Sequence, residues 1–89
     1  MSRTERFGIG NRIDALWLDL LEALRRAAYA SVPNKVAALD EALRRIDAVR
    51  FFLQIAWEAD LMAQVHFITL GKEIEEIGRM TGGWKRGLL

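Results

Sequence analysis

The strongest constraint on the fold is an apolar repeat in the middle of the chain. Seven residues recur there at alternating steps of three and four, the spacing that places side chains on one face of an α-helix. Six are apolar and one is basic: Val36, Leu39, Leu43, Ile46, Arg50, Leu53 and Trp57. Neighbouring apolar residues such as Ala42, Val49 and Phe52 widen this stripe. We therefore predict a central helix that packs against neighbours on two sides.

A first helix is predicted before the central one. Apolar residues over 13–24 recur at helical spacing after Asn11, which is a suitable N-cap. The residue before a proline disfavours helical backbone, so this helix should end near Ala30. Pro33, the single proline, should then lie in the first turn of the central helix, where its missing N–H costs nothing.

A third helix is predicted over residues 63–81, with Gly71 and Gly78 on its inner face. Glycine inside a helix costs about 1 kcal/mol relative to alanine, so we expect another helix to approach closely at both positions. Gly82 and Gly83 should end the helix, because glycine readily takes the left-handed conformation found after helix C-termini. The fold class predicted is thus an all-α, antiparallel bundle of three main helices.

Length and composition limit the domain organisation. For 89 residues we predict one bundle domain over 11–86, an N-terminal arm over 1–10 that docks by Phe7 and Ile9, and a tail over 87–89. A domain of this size buries only about 60 to 65% of its unfolded surface, so we expect a homo-oligomer. Cysteine, a transmembrane-length apolar run and a secretory signal are absent, which predicts a cytoplasmic protein without membrane contact.

The residue types present disfavour an enzyme. His66 is the single histidine and no cysteine accompanies it, so neither a Cys-His nucleophile nor a zinc ligand set can form. Glu73, Glu75 and Glu76 lack the Glu-x-x-His motif of metal sites in helical bundles; we expect a solvated face on which Glu75 pairs with Arg79. The sequence predicts no catalytic residue, no metal and no cofactor.

Arg50 is unusual because it occupies the apolar stripe of the central helix. A buried guanidinium without a partner is strongly destabilising, and Asp47 lies one turn earlier. We therefore predict that Arg50 and Asp47 form a buried pair or lie at a subunit interface. An arginine whose stem packs while its charged head reaches solvent or pairs is the structural alternative.

Basic residues are grouped along the chain, although the net charge is only +1 from 13 Lys+Arg and 12 Asp+Glu. Most of these cations are arginines, which bind phosphate oxygens bidentately. Oligomer symmetry could gather them on one positive surface. The exposed candidates for phosphate contact are Arg25, Arg26, Arg44, Arg45, Lys85 and Arg86. Solvated helix faces also carry such pairs, so a structural module that binds no nucleic acid stays open as the alternative.

Three segments together carry a resemblance to a known family. The most specific reads IGRMTGGW at residues 77–84; the others are GNRI at 10–13 and VRFFLQIA at 49–56. In this order and spacing the chain resembles, over roughly residues 7–86, the accessory variability determinant proteins of bacterial diversity-generating retroelements. These belong to a four-helix-bundle family that also includes proteins encoded in intervening sequences of large-subunit ribosomal RNA genes.

The resemblance implies a non-catalytic protein with a defined set of partners. Protomers of the family assemble into a ring, a pentameric barrel, whose positive surface binds the element's reverse transcriptase and RNA during mutagenic retrohoming. Most of the family's first helix has no counterpart here, since only residues 1–9 stand in its place. We therefore expect three helices with apolar surface left uncovered, and hence a homo-oligomer.

The resemblance also carries over to single positions. Arg12, Arg50 and Arg79 match the family's recurrent arginines, and we assign them to ion pairing or nucleic-acid contact. The family's terminal packing motif is matched by Gly78, Gly82, Gly83 and Trp84. The predicted function is a retroelement accessory protein that binds a reverse transcriptase and template RNA; the alternative is a helical oligomerisation module with protein partners alone.

Overall fold

The computed structural model describes the backbone from Arg3 to Leu89 and the side chains from Gly10 onward. This part of the chain forms three α-helices and no strand: α1 (Arg3–Tyr29), α2 (Val32–Glu58) and α3 (Gln64–Leu88). The predicted all-α class and the number of helices are confirmed.

α2 lies between the other two helices and runs antiparallel to both. The guanidinium of Arg12, in the first half of α1, lies over the ring of Phe52 near the end of α2. On the other side, Asp40 near the start of α2 binds Lys85 near the end of α3. Within the described residues, no Cα atom of α1 comes within 8 Å of one in α3. The prediction of a central second helix is therefore confirmed.

The core is a layer of branched and small apolar side chains on both sides of α2. The buried residues of α2 are Leu39, Ala42, Ile46, Val49, Leu53 and Ala56. α1 contributes Ile13, Leu16, Leu20, Ala23 and Ala27, and α3 contributes Ile74 with the buried polar Thr81. The buried face of α2 thus combines Leu39, Ile46 and Leu53 of the predicted stripe with Ala42, Val49 and Ala56 beside it. The other members of that stripe, Val36, Leu43, Arg50 and Trp57, remain partly or largely exposed.

The start of α1 differs from the prediction. The described helix runs from Arg3 through Gly8 and Gly10, so the predicted N-cap at Asn11 is wrong and the residues assigned to the arm are helical from Arg3 onward. Extending an existing helix adds one hydrogen bond per residue without a new nucleation cost, and this offsets the penalty of two glycines. The expected docking of Phe7 and Ile9 lies outside the residues whose side chains are described.

The turn between α1 and α2 has the predicted form. Ser31 is the N-cap of α2 in extended conformation, and Pro33 lies in the first turn. The N–H of Lys35 donates to the carbonyl of Ser31 at 2.6 Å. This short turn brings the end of α1 beside the start of α2.

The end of α2 uses an aspartate where glycine is usual. Asp60 has φ of 59°, in the left-handed region. The N–H of Leu61 donates to the carbonyl of Ala56 and that of Asp60 to Trp57, which is the Schellman arrangement for closing a helix. Aspartate tolerates this conformation better than most residues, so α2 stops at Glu58 without glycine or proline.

The end of α3 also differs from the prediction. The helix continues through Gly82 and Gly83 to Leu88, and no glycine in the described backbone has positive φ. Lys85 binds Asp40 at 2.6 Å, and Lys35 lies 5.6 Å from the centroid of the Trp84 ring. These contacts with α2 need a helical backbone beyond the glycine pair, and they offset its cost.

The two glycines predicted on the inner face of α3 differ in how closely α2 approaches them. A Cβ at Gly78 would lie 2.9 Å from Nη2 of Arg50 and 3.5 Å from Cγ2 of Ile46. The expected close approach is therefore confirmed there. At Gly71 it is wrong, because nothing lies within 4 Å of the added Cβ.

Candidate nucleic-acid interface

Four of the predicted phosphate-binding residues meet in one groove between the end of α1 and the first half of α2. Arg25 and Arg26 come from α1, and Arg44 and Arg45 come from α2. The antiparallel packing brings both pairs to this groove, and Arg45 of α2 lies 4.0 Å from Asp19 of α1. The groove has a volume of about 650 Å³, within the range of ligand-binding clefts.

Small side chains keep this groove open. Ala30, Ala37 and Ala38 contribute to its lining, together with Asn34. An alanine has no atoms beyond Cβ to fill the space between the long arginine side chains. The result is a cleft bordered by guanidinium groups, which we call the four-arginine groove.

Acidic residues hold three of the four arginines in place. Glu22 accepts two hydrogen bonds from Arg25, at 3.0 Å to Nε and 2.6 Å to Nη2. Glu41 binds Arg44 at 2.5 Å and Arg45 at 2.8 Å. These contacts fix the guanidinium groups at the edge of the groove without burying them.

The same contacts keep both carboxyl groups ionised. The hydrogen bond from Arg25 lowers the pKa of Glu22, and that from Arg44 lowers the pKa of Glu41. Arg26 makes no ion pair within the part of the chain that the structure describes. With four arginines and Glu41 as its charged lining, the groove carries an excess of positive charge.

The overall charge of +1 conceals an uneven distribution. Residues 17–45 and 77–89, which the antiparallel packing brings to the same half of the molecule, hold eight of the 13 Lys+Arg and four of the 12 Asp+Glu. The four-arginine groove lies in this positive half. Its local field is therefore more favourable to anions than the net charge indicates.

The other predicted phosphate ligands lie outside the groove. The guanidinium of Arg12 lies 5.3 Å from the centroid of the Phe52 ring, which is a cation–π contact between α1 and α2. Lys85 binds Asp40, so this lysine joins α3 to α2. Arg86 is exposed on α3.

Arg79 is also outside the groove, and its partner is not the predicted one. Arg79 pairs with Glu76, one turn earlier on α3. The predicted partner, Glu75, instead accepts a hydrogen bond from Nε of Arg50 at 2.7 Å. The expected pairing of Glu75 with Arg79 is therefore wrong.

Arg50 joins α2 to α3 at a partly exposed position. Its Nη1 lies 3.1 Å from Oδ1 of Asp47, and its Nε binds Glu75. The Arg50 side chain is 40% exposed and that of Asp47 is 75% exposed. The predicted pair forms, and it is not buried within the chain, because Arg50 lies at the edge of the α2–α3 seam above Gly78. A place at a subunit interface stays a prediction.

An aromatic residue also lines the groove. Tyr29, the last residue of α1, contributes to the lining and is 84% exposed. Tyr29 is not among the residues that the sequence predicted for the site. Its position four residues after Arg25 was the available signal, since this spacing places two residues on one helical face.

The described residues offer neither a metal site nor a membrane-spanning helix. No group of three or more His, Cys, Asp and Glu side chains there could hold a metal ion, and His66 is exposed. None of the described helices has the length and hydropathy needed to cross a membrane. The comparison with known proteins found no matching family model, curated protein or solved structure.

Proposed function

We propose that this protein is a non-catalytic accessory protein of a diversity-generating retroelement, which binds template RNA through the four-arginine groove and acts with the reverse transcriptase. The convergence of Arg25, Arg26, Arg44 and Arg45 carries the RNA part of this proposal. The retroelement and the reverse transcriptase come from the sequence resemblance over residues 7–86.

The chemistry of the groove suits a phosphate backbone. Arginine presents a planar fork of N–H donors that matches phosphate oxygens. Four such groups from two helices can contact successive phosphates of one strand. Each phosphate that an arginine neutralises releases counterions and so adds to the affinity for RNA. In the protein without RNA, the carboxylates of Glu22 and Glu41 bind three of these guanidinium groups.

Self-association is part of the same proposal. An apolar groove of about 400 Å³ lies between α1 and α3, lined by Leu24, Ile77, Met80, Thr81 and Trp84. Such uncovered apolar surface is typical of interaction sites. A homo-oligomeric ring would cover it and would repeat the four-arginine groove around the assembly. The mass in solution tests this part, and a stable monomer contradicts it.

Salt dependence of RNA binding tests the central claim. We expect the logarithm of the affinity for a labelled RNA oligonucleotide to fall linearly with the logarithm of salt concentration. Reversing charge in the groove with Arg44→Glu and Arg45→Glu should weaken binding and reduce the slope. The matched control is Arg79→Glu with Arg86→Glu on α3, which changes net charge equally outside the groove.

Two results contradict the RNA claim. One is undetectable binding at low salt by a folded wild-type protein, and the other is an equal loss in the groove variant and the control. The retroelement claim has a separate test in the neighbouring DNA, which should encode a reverse transcriptase and contain two near-identical repeats that differ at adenines. Absence of both refutes the retroelement role and leaves RNA binding standing.

A helical module with protein partners alone is the second candidate. It is favoured by the carboxylate partners of Arg25, Arg44 and Arg45, which satisfy these side chains without RNA. If this candidate is correct, the oligomer stays intact while RNA fails to bind at any salt concentration.

A further inference from the structure

We infer that Tyr29 is a stacking platform for an unpaired base, so that the four-arginine groove takes single-stranded RNA in preference to duplex RNA. This inference rests on the proposed RNA binding and deepens it by naming the form of RNA that is bound. It arises from the juxtaposition of one exposed aromatic ring with four guanidinium groups.

The exposure of Tyr29 is the first observation. Its side chain contacts solvent over most of its surface, at 84% exposure. Within the described residues, the ring pairs are Phe51 with Phe52 and Trp57 with Phe67, so Tyr29 is not stacked on another ring. Its aromatic face is available to a ligand.

The position of Tyr29 is the second observation. As the last residue of α1, it lies where the chain turns toward α2, and it shares the groove lining with the arginines. Tyr29 follows Arg25 by four residues on α1, a spacing that places both side chains on the same face of the helix, and both line the groove. A nucleotide whose phosphate contacts Arg25 therefore has its base within reach of this ring.

The chemistry of nucleic acids then selects the ligand. Single strands are bound by grooves that combine cations for the backbone with aromatic rings for the bases. In a duplex the base faces are already stacked on one another, and proteins reach it mostly through backbone and shape. The exposed Tyr29 ring, which lies among the groove arginines, therefore stacks on an unpaired base.

Substitution at Tyr29 separates the ring from its hydroxyl. Tyr29→Ala and Tyr29→Leu remove the aromatic face, and we expect each to weaken binding of a single-stranded RNA oligonucleotide by about five- to a hundredfold. Tyr29→Phe keeps the face and should bind within about twofold of wild type. The salt slope should stay unchanged in all three variants, because no phosphate contact is lost.

Two controls accompany these variants. Phe51→Ala removes another exposed aromatic residue, 61% exposed, outside the groove, and should leave RNA binding unchanged. Binding of a duplex of the same sequence should not respond to Tyr29→Ala. The helical circular dichroism signal checks that each variant is folded. If Tyr29→Ala does not fold, Tyr29→Leu provides a second variant without the ring.

Three outcomes overturn the inference. They are unchanged affinity in both ring deletions, an equal loss in Tyr29→Phe, and an equal loss with duplex RNA. Failure of the proposed function itself looks different: Arg44→Glu with Arg45→Glu would then bind RNA as wild type does, or the folded wild-type protein would bind no RNA at low salt. If the arginine variant loses binding while the Tyr29 variants do not, only the stacking role is wrong.

Discussion

Glu41 restrains two groove arginines, and replacing it by glutamine tests whether those arginines bind phosphate. Its carboxylate lies 2.5 Å from Arg44 and 2.8 Å from Arg45. A bound phosphate must compete with this carboxylate and is also repelled by it. We therefore expect Glu41→Gln to increase the affinity for single-stranded RNA.

The size of the gain follows from the geometry. A phosphate held by the far side of either guanidinium would lie about 7 Å from the Glu41 carboxylate, where repulsion between unit charges in water weakens binding about 2.7-fold. For two phosphates, the expected gain is about sevenfold at low salt. If the freed arginines neutralise one more phosphate, the slope of log affinity against log salt steepens by about 0.7.

Fluorescence anisotropy of a labelled RNA strand at several salt concentrations measures both quantities. Glu76→Gln is the matched control, because it makes the same charge change beside Arg79 on α3. We expect the control to raise affinity less than twofold. Equal gains in both variants would show that net charge alone matters, and no gain in Glu41→Gln would refute phosphate contact by Arg44 and Arg45.

Three further predictions concern stability. Ile46→Ala, at a site only 1% exposed, should lower the free energy of unfolding in urea by about 2–5 kcal/mol; a smaller loss would show that the core collapses around the cavity. Gly71→Ala should raise stability by roughly 0.5–1 kcal/mol, whereas Gly78→Ala should raise it less, because its new Cβ would lie 2.9 Å from a guanidinium nitrogen; equal midpoints would contradict the close approach. The pKa values of Glu22 and Glu41 are lowered from 4.5 in the folded protein, so their ionised forms stabilise it above that pH and this contribution is lost as pH falls further. The double Glu-to-Gln variant should therefore lose less stability than wild type on acidification below pH 4.5, and the same pH dependence of stability in both proteins would refute the ion pairs of these carboxylates.

The positions of the turns were predictable because each has a local cause. Pro33 restricts the backbone before it, so the break after α1 follows from one residue. The end of α2 has no glycine or proline to mark it in the sequence, because Asp60 takes the left-handed conformation that is more often assigned to glycine. Its hydrogen bonds to the last turn became evident only from the backbone.

The helix ends were harder to predict than the turns. Gly8 and Gly10 looked like part of an arm, and Gly82 with Gly83 looked like a stop, yet all four lie inside helices. A glycine inside a helix lowers its stability by about 1 kcal/mol relative to alanine. Whether the helix ends there depends on the contacts that the following residues make. At the end of α3, Lys85 has a partner on α2 that the local sequence does not reveal.

The candidate site was also only partly predictable from the sequence. Its arginines were predictable one by one, because basic pairs on exposed helix faces are recognisable from their spacing. Their convergence was not, and neither was the separation of Arg12, Arg79, Lys85 and Arg86 from the groove. The cross-helix bond between Arg50 and Glu75 joins residues 25 positions apart, a distance over which helical spacing carries no information.

By itself, the sequence determined three helices, the central place of the second, and the absence of cysteine chemistry, since these depend on spacing and residue type along the chain. The tertiary structure decided which face of α2 is buried, which carboxylate each arginine binds, and which basic pairs share a surface. Those outcomes depend on the rotation and register of neighbouring helices, which are set by packing between residues distant in sequence. The same packing placed Tyr29 beside the arginines and so gave the groove its proposed preference for single-stranded RNA.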